Sequence, residues 1–234
     1  MTVDEIRARM DAVAQPARIA GARRFFKEPV HPRGVAAPDQ KRIAAAVYQA
    51  IRLWPVADRD ALCSALWRNG KLEDGTLACY VYQRFKKQCG KEAFELFESW
   101  IDHYVSNWAQ CDSVAPTLLA ACIANEPALM RRFPKWIKSK NRWKRRAAAV
   151  ALIHEAKAGR NTAFLFEMAE GLLEDEDEMV QKGVGWLLKE AYPQKPREVV
   201  EFMLPRLHRM PRLMVRYAAE KMSPAHRAAV MLRG

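Results

Sequence analysis

Trp108 and Asp112 are the residues whose types and spacing first suggest chemistry. They stand four positions apart in a segment with helical periodicity, so both side chains share one face of a helix. An aromatic ring favours burial or stacking, whereas a carboxylate requires water, a cation or a hydrogen-bonding partner. The chain is strongly basic, so a carboxylate on such a face needs an explanation. Whether this face points to the core or to solvent depends on how the neighbouring helices pack against it.

The positive charge of the chain recurs at helical spacing in three C-terminal segments. Lys and Arg number 39 against 27 Asp and Glu, so the formal net charge is +12 and a polyanionic partner such as nucleic acid is favoured. The cations on these segments are Arg142, Arg145, Arg146, Lys182, Lys189, Arg212 and Arg216. If equivalent helices line one side of a repeat protein, these cations form a stripe that follows a phosphate backbone. The alternative is three separate solvated helix faces.

Bases and acids also segregate along the sequence. Residues 131–146 contain nine basic residues and no acid, whereas acids fill the run 174–178. That acidic run precedes a predicted helix, where carboxylates interact favourably with the helix dipole and the free N–H groups. A solvated capping loop explains it without a binding function.

Several function classes lack their sequence signatures. No stretch approaches the roughly 20 apolar residues of a membrane span, and no secretory signal opens the chain. The five cysteines are odd in number and have no CxxC spacing, which indicates reduced thiols in a cytoplasmic protein. Phosphate-binding loops and metal-protease motifs are missing, and the five histidines are scattered. We therefore expect no cofactor and no bound metal.

The elements that must position these residues are all predicted to be helices. Proline, glycine and capping residues divide the sequence into about a dozen segments, and no run of residues predicts a strand. The predicted helices cover 3–20, 38–54, 58–67, 74–88, 91–100, 116–125, 129–137, 142–158, 161–173, 177–192, 196–207, 211–222 and 224–233. Asp58, Asn161 and Ser223 are the predicted N-caps of three of them.

From residue 116 onward the predicted helices fall into pairs. The pairs recur about every 33–35 residues, a period typical of helical hairpin repeats. This predicts an all-α chain, residues 1–234, folded as one α-solenoid domain with a basic concave face. A compact helical bundle is the alternative architecture.

Three stretches together resemble a known family. They are Trp108-x-x-x-Asp112, RWKRRAA at 142–148 and QKGVGWLLKE at 181–190. In this order they resemble the AlkD-like DNA alkylation repair family, a group of DNA glycosylases built from HEAT-like repeats. RRFFK at 23–27 and RYAAEK at 216–221 are similar to that family as well. The segment 27–33 departs from it, with two prolines and a histidine where the family commonly has an aromatic-bearing helix.

The resemblance implies roles for four residues. Trp108 and Trp186 match the two aromatic residues at the lesion, Asp112 the carboxylate, and Arg146 the arginine beside the site, where we expect it to contact a phosphate. The implied activity is excision of N3- and N7-alkylated purines from duplex DNA, in base excision repair, without flipping the base into a pocket. We expect a cytoplasmic monomer that associates with the nucleoid through DNA. The alternatives are a non-catalytic protein that binds distorted or branched DNA, and a protein–protein scaffold.

Overall fold

The computed structural model describes residues 1–231, and every regular element in this range is helical. The α-helices are α1 (Val3–Asp11), α2 (Pro16–Phe25), α3 (Ala37–Ile51), α4 (Val56–Trp67), α5 (Leu72–Tyr82), α6 (Lys91–His103), α7 (Trp108–Val114), α8 (Ala120–Asn125), α9 (Phe133–Trp136), α10 (Arg142–Val150), α11 (Ile153–Lys157), α12 (Thr162–Glu170), α13 (Glu178–Ala191), α14 (Pro196–Met203), α15 (Arg212–Ala218) and α16 (Pro224–Met231). None of them is long and apolar enough to cross a membrane. The all-α prediction is confirmed, while the predicted end of the last helix at residue 233 lies outside the described residues.

Alternate helices stack into one continuous row. In this row α3, α5, α7, α10, α13 and α15 each pack against the next, and intervening helices such as α4, α6 and α12 pack against the row as a second layer. The helices of the row begin at residues 37, 72, 108, 142, 178 and 212, so one unit recurs every 34 to 36 residues. The predicted helical-repeat solenoid is therefore confirmed. Its period, which the sequence showed only from residue 116, extends back to residue 37.

The third helix of the row, α7, differs from the prediction at Pro116. The sequence predicted that a helix begins there, but α7 runs through a π-helical turn, Ala115–Leu119, directly into α8. Proline has no backbone N–H to donate, and its ring collides with the preceding turn of a regular α-helix. A wider turn accommodates the ring without ending the helix, because π-bulges relax the backbone ladder locally. One continuous helical segment therefore carries both Trp108 and Pro116.

Two long predicted helices are broken in the structure. The predicted helix 3–20 is divided into α1 and α2, because Pro16 cannot continue the hydrogen-bond ladder and instead opens the second helix. The predicted helix 142–158 is divided into α10 and α11 at Leu152, whose φ of −89° and ψ of 0° depart from helical values. Both breaks leave the order of helices in the row unchanged.

The three predicted N-caps have different outcomes. Asp58 is not a cap, because α4 begins at Val56 after Pro55. Asn161 precedes α12, but its side chain makes no capping hydrogen bond, because its backbone is left-handed with a φ of 53° and its Nδ2 donates to Glu155 Oε2 at 2.7 Å. Ser223 acts as predicted, and its Oγ accepts the N–H of His226 at 3.3 Å.

The segment before α3 is anchored firmly to α5. Arg33 donates from Nε and Nη2 to Asp74 Oδ1 and Oδ2 at 2.7 and 2.9 Å, and both side chains are buried. Glu73 accepts the backbone N–H groups of Arg33 at 2.6 Å and Gly34 at 2.8 Å. Gly34 has a φ of 89°, and a Cβ there would lie 2.6 Å from the Gln15 carbonyl oxygen. This anchor holds the chain that precedes it against the helix row.

The five tryptophans outside the candidate site are largely inside the protein. Four of them, Trp67, Trp100, Trp136 and Trp143, are buried, and Trp54 is partly buried. All five cysteines are free and buried, as expected for reduced thiols.

Candidate functional site in the cleft along the helix row

Four side chains singled out by the sequence line one cleft. The cleft has a volume of about 410 Å³, and its walls include Trp108, Asp112, Arg146 and Trp186. The first two come from α7, and the other two come from α10 and α13. Because these three helices are consecutive in the row, residues separated by about one repeat each along the chain meet at one place.

The start of α7 is fixed by side-chain hydrogen bonds. Asn107 is buried, and its Oδ1 accepts the N–H of Gln110 at 3.0 Å as an N-cap. Gln110 in turn accepts the N–H of Ser106 at 3.1 Å. Trp108 is the first residue of the helix, and Asp112 follows one turn later on the same face. The sequence thus sets the position of both side chains by a local cap.

Asp112 and Arg146 form a bidentate ion pair at the floor of the cleft. Arg146 donates from Nε to Asp112 Oδ1 at 2.9 Å and from Nη2 to Oδ2 at 2.8 Å. The side chain of Asp112 is 19% exposed and that of Arg146 only 6%. Burial by itself lowers the pKa of Arg146, but the hydrogen bonds and charge of Asp112 outweigh it and raise the pKa above its ordinary value. Asp112 is therefore the more exposed partner of the pair, and the buried guanidinium of Arg146 holds it in place.

Arg146 has a different partner from the one expected. We predicted that it contacts a DNA phosphate, but two of its nitrogen atoms bind Asp112 and Nη1 donates to the Met179 carbonyl oxygen. Gly183 of α13 lets the helices approach, since a Cβ there would lie 3.3 Å from Arg146 Cγ. This geometry favours a residue that holds Asp112 in place.

The two tryptophans are held by different contacts. Trp186 donates from Nε1 to Glu190 Oε1 at 3.2 Å, one turn further along α13. Trp108 stacks on Phe26, with ring centroids 5.3 Å apart and an interplanar angle of 22°. Both tryptophans are half-buried, so each ring is partly open to the cleft.

Sequence reasoning missed the wall contributed by residues 25–28. Phe25, Lys27 and Glu28 line the cleft, and Phe25 is 70% exposed despite its large apolar ring. An exposed aromatic ring next to an open surface often marks a binding site. The signal available in the sequence was the pair of adjacent phenylalanines within a basic stretch, just before the segment that departs from the family pattern.

The predicted DNA-binding cations are divided between the cleft and its surroundings. Lys182 and Lys189 line the cleft itself. Lys182 lies 3.7 Å from Glu178, and Lys189 donates to Glu220 at 2.7 Å. Arg142 lies at the edge, where its Nη2 donates to Glu28 Oε1 at 2.6 Å.

The other predicted cations lie away from the four central residues. Arg145 forms a second bidentate pair, from Nε and Nη2 to Asp175 Oδ2 and Oδ1 at 2.6 and 3.2 Å. Arg212 and Arg216 are exposed on α15, and Arg212 donates to the Met231 carbonyl oxygen at 3.0 Å. The single stripe predicted from helical spacing is therefore interrupted by ion pairs, and its role in binding DNA stays a prediction.

The acidic run 174–178 is less solvated than the sequence suggested. Asp177 caps α13 by accepting the N–H groups of Met179 and Val180, and it also accepts from Arg142 at 3.0 Å. Its neighbour Asp175 binds Arg145. The predicted cap is confirmed, but the run also neutralises bases from α10.

Within residues 1–231, no group of three or more histidine, cysteine or acidic side chains is arranged to hold a metal ion.

Comparison with known proteins identifies the family of this chain. The sequence profile of a family described as DNA alkylation repair enzyme matches residues 6–222, which is most of the chain. The chain belongs to this family. Binding to DNA follows from membership in the DNA alkylation repair family. The resemblance drawn from the motifs is thereby confirmed at the level of the family.

Solved structures share the fold at low sequence identity. A predicted DNA alkylation repair enzyme from Enterococcus faecalis superposes with a TM-score of 0.81 and 17% identity, covering 90% of this chain and 97% of its own. AlkD2 from Streptococcus mutans superposes with a TM-score of 0.62 and 16% identity, covering 88% of this chain and 97% of its own. At such identities the likeness supports the fold and not an activity. No curated protein matches the sequence.

Proposed function

We propose that this DNA alkylation repair family member is a monofunctional DNA glycosylase that hydrolyses the N-glycosidic bond of N3- and N7-alkylated purines in duplex DNA. The observation that carries the proposal is the Asp112 carboxylate, held by Arg146 and flanked by Trp108 and Trp186 in one open cleft. Family membership supports the substrate class, since it implies repair of alkylated DNA.

The proposed chemistry requires little machinery. A purine alkylated at N3 or N7 carries a positive charge, and it leaves as a neutral base without needing a general acid. As the bond breaks, the positive charge moves to the sugar, so an oxocarbenium-like transition state forms. Fixed groups that stabilise such developing charge often provide the largest catalytic contribution. Asp112 would stabilise the cation and orient the attacking water, or accept its proton.

The two aromatic rings suit the same cationic substrate. A ring face attracts a cation by about 0.5–2 kcal/mol, depending on how far the pair is desolvated. Phe26 covers one face of Trp108, so the other face is the one available to a nucleotide. We infer that Trp108 and Trp186 hold the sugar or the cationic base while Asp112 acts on it. The cleft is open to solvent, which fits a lesion that stays within the duplex better than one extruded into a closed pocket.

Release of 7-methylguanine from a defined duplex tests the proposal. We expect Asp112→Asn to slow base release at saturating protein by about 100-fold or more, the usual effect of removing one stabilising group. The matched control is Asp175→Asn, which breaks a similar bidentate pair with Arg145 outside the cleft and should leave release nearly unchanged. Equal, slow release by wild type and Asp112→Asn would refute the enzyme and leave a non-catalytic protein that binds distorted DNA.

The same reactions show whether the enzyme also nicks DNA. We expect an intact abasic strand, since nothing in the sequence marks an activated lysine. Lys182 and Lys189 line the cleft and are the amines to examine. Trapping of a covalent adduct by borohydride would identify a Schiff base and would contradict a monofunctional enzyme.

A further inference from the structure

Glu190 is a buried carboxylate immediately behind the cleft. It lies on α13 one turn after Trp186, its side chain is 8% exposed, and it is not among the residues that line the cleft. Its Oε1 accepts the indole N–H of Trp186 at 3.2 Å, and its Oε2 accepts from Lys221 Nζ at 2.6 Å. Lys157 Nζ approaches the same oxygen at 3.9 Å. Glu190 therefore joins the candidate site to two lysines outside it.

The surroundings keep Glu190 in its charged form. Burial tends to raise the pKa of this carboxyl, but the hydrogen bond and charge of Lys221, with a smaller contribution from Lys157, lower it below its ordinary value. The indole N–H of Trp186 consequently donates to an anion. Hydrogen bonds to an ionised acceptor are about twice as strong as those between neutral groups.

The two cleft tryptophans, Trp108 and Trp186, differ from other tryptophans of the chain in their contacts with protein cations. Other tryptophans already hold protein cations: Arg142 lies 4.3 Å from the ring centre of Trp143, and Lys144 lies 5.3 Å from that of Trp136. Within residues 1–231 no such contact involves either cleft tryptophan. Of the pair, only Trp186 has a carboxylate on its indole nitrogen among the hydrogen bonds of this range.

An anionic acceptor on the N–H changes the ring as well as its orientation. Hydrogen bonds in a poorly solvated site polarise the groups they join. When the N–H donates to a carboxylate, electron density shifts from the N–H bond into the indole, and the negative face of the ring strengthens. Attraction of a cation to a ring depends on that negative face.

We propose that Glu190 is a positioning residue, which orients Trp186 and strengthens the attraction of its ring for a cationic nucleotide in the cleft. The inference rests on the proposed function, because it concerns recognition of positive charge at the same site. Glu190 would act on the cationic nucleotide through Trp186, without touching the nucleotide itself.

A purely structural role is the competing explanation. Glu190 connects α13 to α11 through Lys157 and to the turn after α15 through Lys221. If it were only such a connection, removing Lys221 should act like removing the Glu190 charge. Lys221→Met breaks the connection and leaves the carboxylate on the indole, whereas Glu190→Gln preserves the side-chain length and removes the charge.

The experiment compares the binding of each protein to two otherwise identical duplexes. One contains a pyrrolidine nucleotide, which is cationic at the sugar, and the other contains the uncharged tetrahydrofuran nucleotide. The ratio of the two affinities isolates recognition of positive charge from DNA binding as a whole. We expect Glu190→Gln to lower this ratio about fivefold, equivalent to about 1 kcal/mol. Lys221→Met should leave the ratio within about twofold, although it lowers the unfolding temperature.

Two further variants keep the inference falsifiable. Glu155→Gln is the matched control, because Glu155 is also a buried carboxylate paired with a cation, Arg160 at 2.6 Å, away from the cleft. Trp186→Phe has no N–H, so adding Glu190→Gln to it should not change the ratio further. The inference about Glu190 is wrong if Glu190→Gln leaves the affinity ratio at its wild-type value. It is also wrong if Lys221→Met lowers the ratio as much as Glu190→Gln does. Neither result affects the proposed function. A wild-type protein that binds both duplexes equally overturns the proposed cation-stabilising function and the inference with it.

Discussion

Replacing Arg146 with glutamine separates two roles that an arginine beside this site could have. If Arg146 holds Asp112, as its bidentate geometry indicates, the variant leaves a carboxylate with 19% side-chain exposure and no cation. Breaking a buried ion pair by removing one partner costs about 3–5 kcal/mol of unfolding free energy. Because Asp112 reaches solvent on one side, we expect the lower end, about 3 kcal/mol. For a chain of this length that lowers the unfolding temperature by about 6–12 °C.

The assays are thermal unfolding, base release at saturating protein, and DNA affinity as a function of salt. A misplaced Asp112 should slow base release by about 100-fold. The slope of log affinity against log salt should not change, whereas losing one phosphate contact reduces its magnitude by about 0.9. Arg216→Gln, an exposed position on α15, is the positive control for that slope if the stripe binds DNA.

A double variant tests the cause of the destabilisation. Adding Asp112→Asn to Arg146→Gln removes the uncompensated charge, so most of the lost stability should return while base release stays slow. A reduced salt slope with normal base release at saturation would refute the positioning role of Arg146 and restore the phosphate contact predicted from sequence.

Three further predictions concern packing and pH. Gly185→Ala should destabilise the protein by about 1–3 kcal/mol in urea unfolding, because the new Cβ would lie 2.5 Å from Tyr217 Cβ. Gly21→Ala, in α2 with nothing within 4 Å of the new Cβ, should stabilise it by about 0.5–1 kcal/mol, and a loss of stability there would show that α2 does not behave as an ordinary helix. The hydrogen bond from Arg160 lowers the pKa of Glu155 from 4.5 despite opposing burial, so its stabilisation is complete above about pH 4.5 and disappears as the pH falls through the lowered value. Glu155→Gln should therefore lower the unfolding temperature at pH 7 and flatten its decline below pH 4.5; an unchanged profile would exclude that contribution.

The parts of the fold that sequence predicted well are those governed by local patterns. Amphipathic periodicity identified most of the helices. Capping by Ser223 and Asp177 could be predicted because a cap involves only residues within one helical turn. Pro116 shows the limit of such rules. Proline usually marks a helix boundary, but here a π turn and the packing of α7 in the row carry the helix past it. A local rule cannot anticipate a backbone adjustment that tertiary packing stabilises.

The charges of the site were harder to predict because their partners are distant in sequence. Arg145 binds a carboxylate 30 residues away, and Arg142 binds Glu28, 114 residues away. Counting bases along 131–146 therefore overstated the free positive charge near the cleft. Repeat packing aligns equivalent positions of adjacent helices, so ion pairs between residues about one repeat apart are expected. Such pairs reduce the free positive charge below the number counted from the sequence. The Glu28 contact belongs to no such register, which explains why residues 25–28 were missed as a wall of the cleft.

The pairing of Asp112 with Arg146 raises the question of how a neutralised carboxylate could stabilise a cation. The two charges differ in exposure, because Arg146 is buried and also contacts the Met179 carbonyl oxygen of α13, while Asp112 is the more exposed partner. A cation entering the cleft therefore meets the carboxylate first and the guanidinium at greater distance, and its attraction to the nearer charge dominates. The bidentate contact also prevents the carboxylate from turning toward water, so little reorganisation is needed when positive charge develops at the sugar. Under the proposed function, the ion pair would reduce the net charge of the cleft while its more exposed negative partner would remain nearest to the sugar that becomes cationic.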